Sequence, residues 1–149
     1  MNSDQFREIL LASFVFCHAQ DAWVEPVDAA LDGLNAEDAL RRPLEGKGIW
    51  DIVLHLAVWN ENIVERMRTG EAVRPADDDW PEPIGSEAEW ESAKLRLRMS
   101  LVAIGELIRT ADEDDFARSP YGYPDLICRF IHISYHLGQI VKLREVWSI

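Results

Sequence analysis

Apolar residues recur every three or four positions along four long stretches of this chain, the spacing that collects them on one face of an α-helix. The first stretch begins near Asp4 and ends before Pro26, because proline lacks an N–H and clashes with the preceding turn. The others run from Ile49 to Thr69, from Glu87 to Thr110, and from Leu126 to about Trp147. No segment alternates regularly between apolar and polar residues, so the pattern predicts an all-α protein.

Shorter signals lie between these stretches. Residues 27–34 predict a short helix, and Asn35 is a suitable N-cap for a further helical turn. Ser86 and Glu89 form the Ser-x-x-Glu pattern of a capping box at the start of the third long helix. Four long amphipathic helices with one or two short extra helices predict a four-helix bundle, and we expect residues 1–149 to form one domain.

Two connections carry clusters of acidic residues. Residues 71–85 make a long connection for a compact domain, which predicts either a crossover or a functional lid. Residues 111–124 are expected to form a second loop. We interpret the acidic runs at 77–79 and 112–115 as solvated loop tips rather than cation sites.

The charge balance limits the partners. Fifteen basic against 27 acidic residues give a formal net charge of -12, which argues against nucleic acid and anionic membranes as partners. There is no apolar run near the ~20 residues that span a bilayer, and the N-terminus lacks the pattern of a signal peptide. Two cysteines are too few for a disulfide framework and fit a reducing compartment, so we expect a cytoplasmic protein.

Histidines supply the main candidate chemistry. His132 and His136 lie four residues apart on the fourth long helix, which offsets them by only ~40° on one face. His55 lies on the second long helix, and three converging neutral imidazoles could bind one metal ion with a position left open for water or substrate. The alternative is three polar residues on half-buried helix faces, since a bare His pair at this spacing more often binds no metal.

Other metal chemistries do not fit the residues. Ile133 follows the first histidine of the pair, where the zinc-protease motif has its catalytic glutamate, so that reaction is rejected. The chain has no Glu-x-x-His pair for a di-iron site and no Cys-x-x-Cys-His for attached haem. A mononuclear site with three histidines is what remains.

Three residues near the histidines have a candidate role and an alternative each. Asp51 lies one turn before the first candidate ligand and could accept a hydrogen bond from its ring, or be an exposed residue in a first helical turn. Cys128, one turn before the histidine pair, could be a fourth ligand or a small core residue. Gln139, one turn beyond the pair, could hydrogen-bond a ligand or a substrate, or be exposed.

A substrate cleft also needs walls. Trp23, Trp59, Tyr135 and the loop over residues 71–85 are the candidates for these walls. We expect Gly138 to let the last helix approach a neighbour closely.

Three segments together carry a resemblance to a known family: Trp23–Leu34, Gly48–Trp59 and His132–Arg144. With a histidine in the second long helix and a terminal His-x-x-x-His-x-Gly-Gln, the chain resembles the DinB family (DinB/YfiT-like bundle proteins) over almost its whole length. One departure is Gly48, where the family often has Ser or Thr as a helix cap. Glycine is tolerated at an N-cap at a cost of a few tenths of a kcal/mol.

The resemblance implies a bundle in which His55, His132 and His136 bind a divalent metal such as nickel or zinc, and it implies that homodimers are common. Characterised relatives include transferases that attach low-molecular-weight thiols such as bacillithiol to electrophiles, and a mycothiol-dependent isomerase. It therefore implies a metal-dependent enzyme that transfers such a thiol to an electrophilic small molecule, or a metal-dependent hydrolase, because the ion can lower the pKa of a bound thiol or water. The alternative is a non-catalytic metal-binding protein of a stress response.

Overall fold

The computed structural model describes residues 3–20, 25–71, 74–75, 78–118 and 121–149. These residues contain seven α-helices and no β-strand. The helices are α1 (Ser3–His18), α2 (Val27–Leu31), α3 (Ala36–Leu40), α4 (Ile49–Thr69), α5 (Glu87–Thr110), α6 (Glu113–Arg118) and α7 (Tyr123–Trp147). The all-α class and the four-helix bundle are confirmed, although the described residues hold three short helices rather than one or two.

The bounds of the long helices follow local signals. Helices α4 and α5 cover the residues that the apolar spacing predicts. At the start of α5, the Glu89 N–H donates to Ser86 Oγ at 3.3 Å, and the Ser86 N–H donates to Glu89 Oε2 at 3.1 Å. Helix α7 begins at Tyr123, three residues before the predicted start, with Pro124 in the first turn, where no N–H is required.

Helix α6 occupies a segment for which we predicted a loop. The Asp115 N–H donates to Asp112 Oδ1 at 2.8 Å, and the Asp112 N–H donates to Asp115 Oδ2 at 3.0 Å. This reciprocal pair caps a helix in the same way as a Ser-x-x-Glu box. Phe116 of α6 is buried and stacks on Tyr123 with the ring centroids 4.8 Å apart. The acidic run at 112–115 is therefore a helix start and not a loop tip, although Asp112 and Asp114 are exposed as predicted.

Helices α4 and α5 pack side by side and run parallel. Trp50 contacts Trp90 with ring centroids 5.3 Å apart, and further along both helices Asn60 donates to Ser100 at 3.0 Å. A parallel pair requires a connection that returns along the length of α4, whose 21 residues span about 32 Å. The long segment between the two helices is thus a crossover, one of the two predicted alternatives.

Helix α7 runs antiparallel to α4 on its other side. The Arg66–Asp125 ion pair joins the end of α4 to the start of α7 at 3.4 Å. Nearer the start of α4, His55 meets His132 with ring centroids 5.0 Å apart. Helix α1 packs against both α5 and α7 and closes the bundle. None of the described helices is long and apolar enough to cross a membrane.

Two glycines differ from their predicted roles. A Cβ added at Gly48 would lie 2.3 Å from the carbonyl oxygen of Arg41, so the backbone leaves no space for a side chain there. The expectation that glycine is merely tolerated at this helix cap is wrong. A Cβ added at Gly138 would have no described atom within 4 Å, and this glycine is exposed. Close helix packing at Gly138 is therefore not found within the described part of the chain.

Candidate metal centre

Three histidine side chains converge between α4 and α7. His55 Nε2 lies 3.1 Å from His132 Nε2, and His136 Nε2 also lies 3.1 Å from His132 Nε2. One ring nitrogen from each histidine lies within 4.8 Å of the other two, so the three side chains could hold a metal ion. Among the described residues, this is the group of His, Cys, Asp or Glu side chains that meets that condition. His55 and His136 are buried, and His132 is half-buried.

The opposite ring nitrogens of two histidines are held by oxygen atoms. His55 Nδ1 lies 2.6 Å from the backbone carbonyl oxygen of Asp79, and His136 Nδ1 lies 2.6 Å from Gln139 Oε1. A carbonyl oxygen only accepts hydrogen bonds, so each Nδ1 carries the proton and donates it. The Nε2 atoms of both neutral rings therefore present lone pairs toward His132.

This arrangement fits a divalent cation. A neutral His132 has one N–H, which cannot satisfy both neighbouring lone pairs at once, whereas a cation accepts all three. Metal–nitrogen bonds of about 2.0–2.1 Å at angles of about 90–109° give nitrogen–nitrogen distances of about 2.8–3.4 Å. The two observed distances of 3.1 Å lie within this range. The residues present thus fit a metal ion.

The electrostatic environment keeps two of the rings neutral. Burial lowers the pKa of His136 to about 4, against a smaller opposing effect of the bond to Gln139. Burial also lowers the pKa of His55, and the Asp79 carbonyl and carboxylate oppose this only in part. Because only the neutral imidazole offers a lone pair to a metal, both rings are in the ligating form at neutral pH.

The crossover segment places Asp79 and Trp80 against His55, a contact that we did not predict for either residue. Besides the carbonyl contact, Asp79 places Oδ1 3.2 Å from His55 Nδ1 and accepts a hydrogen bond from Trp59 Nε1. Trp80 stacks on His55 with ring centroids 3.8 Å apart and planes 9° apart. Asp79 is therefore not simply a solvated loop residue. The sequence did contain a signal for this contact: Trp80 is a large aromatic residue in the connection that we predicted to form a wall of the cleft.

Asp51 has a different partner from the one we predicted. Its carboxylate accepts hydrogen bonds from Arg42 Nε at 2.8 Å and Nη2 at 2.7 Å, and from the Gly48 N–H at 2.8 Å. Burial alone would raise the pKa of Asp51, but the bonds from Arg42 and Gly48 outweigh it and lower the pKa. The carboxylate points toward the start of α4, so the predicted bond to His55 is replaced by the Asp79 carbonyl. Asp51 is also buried, not exposed.

A family model described as the DinB superfamily matches residues 21–140, which include all three histidines, the whole of α4 and α7 as far as Ile140. The chain belongs to the DinB superfamily. The family resemblance that the three sequence segments indicate is thereby confirmed. Comparison with curated proteins and comparison with solved structures each found no match.

In the described part of this DinB-superfamily chain, the histidine cluster borders cavities on two sides. A cavity of about 580 Å³ has His136 in its wall, together with Trp80, Tyr135, Gln139 and Lys142. A smaller cavity of about 210 Å³ has His132 in its wall, together with Trp59, Cys128 and Arg129. A third cavity, of about 590 Å³ between α1 and α5, includes none of the three candidate ligands in its lining.

The remaining predicted residues lie at different distances from the cluster. Tyr135 is exposed, with its ring centroid 5.1 Å from that of His136, and its hydroxyl accepts a hydrogen bond from Gln139 Nε2 at 3.0 Å. Cys128 is exposed and is not part of the described cluster that could hold a metal, so the expectation of a core residue is wrong. Trp23 lies outside the described residues.

Proposed function

We propose that His55, His132 and His136 bind one divalent ion, nickel or zinc, and that the protein is a metal-dependent enzyme. The observation that carries this proposal is the convergence of three ring nitrogens at 3.1 Å spacings, with no more than one proton available between them. The proposed reaction is the transfer of a low-molecular-weight thiol to an electrophilic small molecule. When bound, the ion would supply positive charge that favours the deprotonated form of a thiol or of water.

The surroundings of the cluster support a reaction with two substrates. One cavity borders His136 and another borders His132, so a thiol and an electrophile each have space beside the site. Lys47, Lys142 and Glu45 line the larger cavity, and Lys142 donates to Glu145 at 2.9 Å, so Lys47 is the cation there that would attract an anionic substrate. Lys47 also lies over the Trp80 ring, 5.1 Å from its centroid, which leaves its charge at the cavity wall.

The residues around the ligands would position the reaction rather than perform proton transfer. Asp79 and Gln139 hold the ligand protons at Nδ1, and Trp80 covers one face of His55. In the proposed step the thiol sulfur bonds to the electrophilic carbon. The leaving group departs with its bonding pair, and the thiol proton goes to solvent. The predicted homodimer and cytoplasmic location stay predictions.

The first experiment is elemental analysis of protein purified without an affinity tag. We expect close to one divalent ion per chain in the wild type, and loss of that ion in a His55→Ala, His132→Ala double variant. His18→Ala is the matched control, since His18 lines the cavity between α1 and α5 instead. A wild type that binds no metal even after reconstitution would refute the proposal.

The second experiment measures thiol transfer by metal-loaded protein, with bacillithiol, mycothiol or glutathione and a chromogenic electrophile. Activity should disappear on chelation and in the His55→Ala variant, and should persist in His18→Ala. Activity that chelation removes but His55→Ala retains would contradict the assigned ligands. Stoichiometric metal without transfer or hydrolysis of any tested substrate would favour the non-catalytic alternative.

A further inference from the structure

Two of the three guanidinium nitrogens of Arg129 are buried and have no hydrogen-bond partner among the described residues. Arg129 lies on α7 one turn before His132, and only 6% of its surface is exposed. Within the described residues its Nε and Nη2 atoms are buried and make no hydrogen bond. A buried charge that lacks a partner destabilises a protein strongly, so we infer that a bound group accepts these hydrogen bonds.

The nearest acidic side chain on α7 is already used. Asp125 lies one turn before Arg129, but both of its carboxylate oxygens face Arg66 Nη1 at 3.4 Å. The cavity that Arg129 lines therefore contains two guanidinium groups and one carboxylate. This local excess of positive charge stands out in a chain whose formal net charge is -12.

A second unsatisfied atom belongs to His132, which lines the same cavity. His132 Nδ1 is buried and has no hydrogen-bond partner within the described part of the chain. If His132 gives the lone pair of Nε2 to a metal, its Nδ1 carries the proton and needs an acceptor, as metal-bound histidines usually have. The other two candidate ligands have such acceptors in Asp79 and Gln139, so His132 is the exception.

We propose that this cavity of about 210 Å³ binds the carboxylate of a small-molecule substrate, with Arg129 as the residue that recognises it. The planar guanidinium presents parallel N–H groups that match the two oxygens of a carboxylate. His132, which lines the same cavity, would offer its Nδ1–H as a further donor. The inference rests on the proposed function, because it places the acid group beside the histidine cluster and thereby orients the electrophile.

The test uses acetate as the probe, with chloride at equal ionic strength as the reference. Thermal unfolding and calorimetric titration are measured on metal-loaded and on chelated protein, for wild type, Arg129→Met and Arg129→Lys. Arg96→Met is the control, since Arg96 binds Glu61 on the surface, away from the cavity. Acetate should bind wild type and Arg96→Met saturably, and Arg129→Met about tenfold or more weakly. Arg129→Lys should fall between, because it keeps the charge and loses the planar fork.

The stability of the variant separates recognition from a merely structural role. Arg129→Met removes an unpartnered buried charge, so without acetate it should unfold at the same temperature as wild type or higher. Equal acetate binding by wild type and Arg129→Met would overturn the carboxylate assignment. Inorganic phosphate is titrated in the same way, and binding of phosphate but not of acetate would overturn it too. Metal content is measured in parallel: Arg129→Met should keep its metal, so failure of this inference is distinct from failure of metal binding.

Discussion

Gly48→Ala tests whether the start of α4 is held by steric fit. Helix-cap preferences alone predict a cost of about 0.5–1.5 kcal/mol for alanine, which ranks well below glycine at an N-cap, and a gain of a few tenths of a kcal/mol for serine. The structure predicts a larger cost for alanine, and a loss instead of a gain for serine. The new Cβ would lie 2.3 Å from the Arg41 carbonyl oxygen, against ordinary contacts of 3.4–4 Å, so one of the two backbone segments must move by about 1 Å.

That movement acts on a buried polar cluster. The Gly48 N–H donates to Asp51 at 2.8 Å, and Arg42, the neighbour of Arg41, donates two further bonds to the same carboxylate. Losing one hydrogen bond to a charged group costs about 1.5–3 kcal/mol. Arg42 is 41% exposed, so weakening its ion pair adds little after solvent screening. We expect Gly48→Ala to lower the free energy of unfolding by about 2–4 kcal/mol.

Urea unfolding followed by circular dichroism measures this change. Gly138→Ala is the matched control, because it adds the same methyl group to an exposed helical glycine with no described atom within 4 Å. It should stabilise the protein by about 0.5–1 kcal/mol. A Gly48→Ala protein as stable as wild type would show that the backbone relaxes freely at this site, and would refute the steric account.

Three further predictions concern single side chains. Gln139→Leu removes the acceptor of His136 Nδ1 and should weaken metal binding about 10–100-fold, measured by competition with a chelator; unchanged affinity would contradict the role of that bond. Native protein should react with one equivalent of a thiol reagent, at the exposed Cys128. A second equivalent should react only after denaturation, because Cys17 is buried and burial raises its pKa to about 12. Cys128→Ser should abolish the fast reaction. Burial lowers the pKa of His18 below 6.5, so the folded chain binds fewer protons there and the free energy of unfolding falls as the pH drops below ~6.5. His18→Phe should show a smaller fall between about pH 7.5 and about pH 5.5 in urea titrations, and an equal fall would count against the shift.

The sequence determined the long helices and half of the site. Apolar residues at helical spacing were enough to bound α4 and α5, because each long helix must bury one continuous face. The four-residue spacing of His132 and His136 placed both on one face of α7 before any packing was known. The short helix α6 was missed because its cap uses Asp115 where the common pattern has Glu or Gln.

Only the tertiary structure decided what faces the histidines. The Asp79 carbonyl is 24 residues from His55, and no periodicity reports where a crossover backbone will pass. Asp51 has the spacing of a partner for His55, but its carboxylate turns to Arg42 and to the free N–H at the start of α4. Helical spacing gives the face of a residue, whereas hydrogen-bond partners across the bundle depend on how the helices and their connections pack.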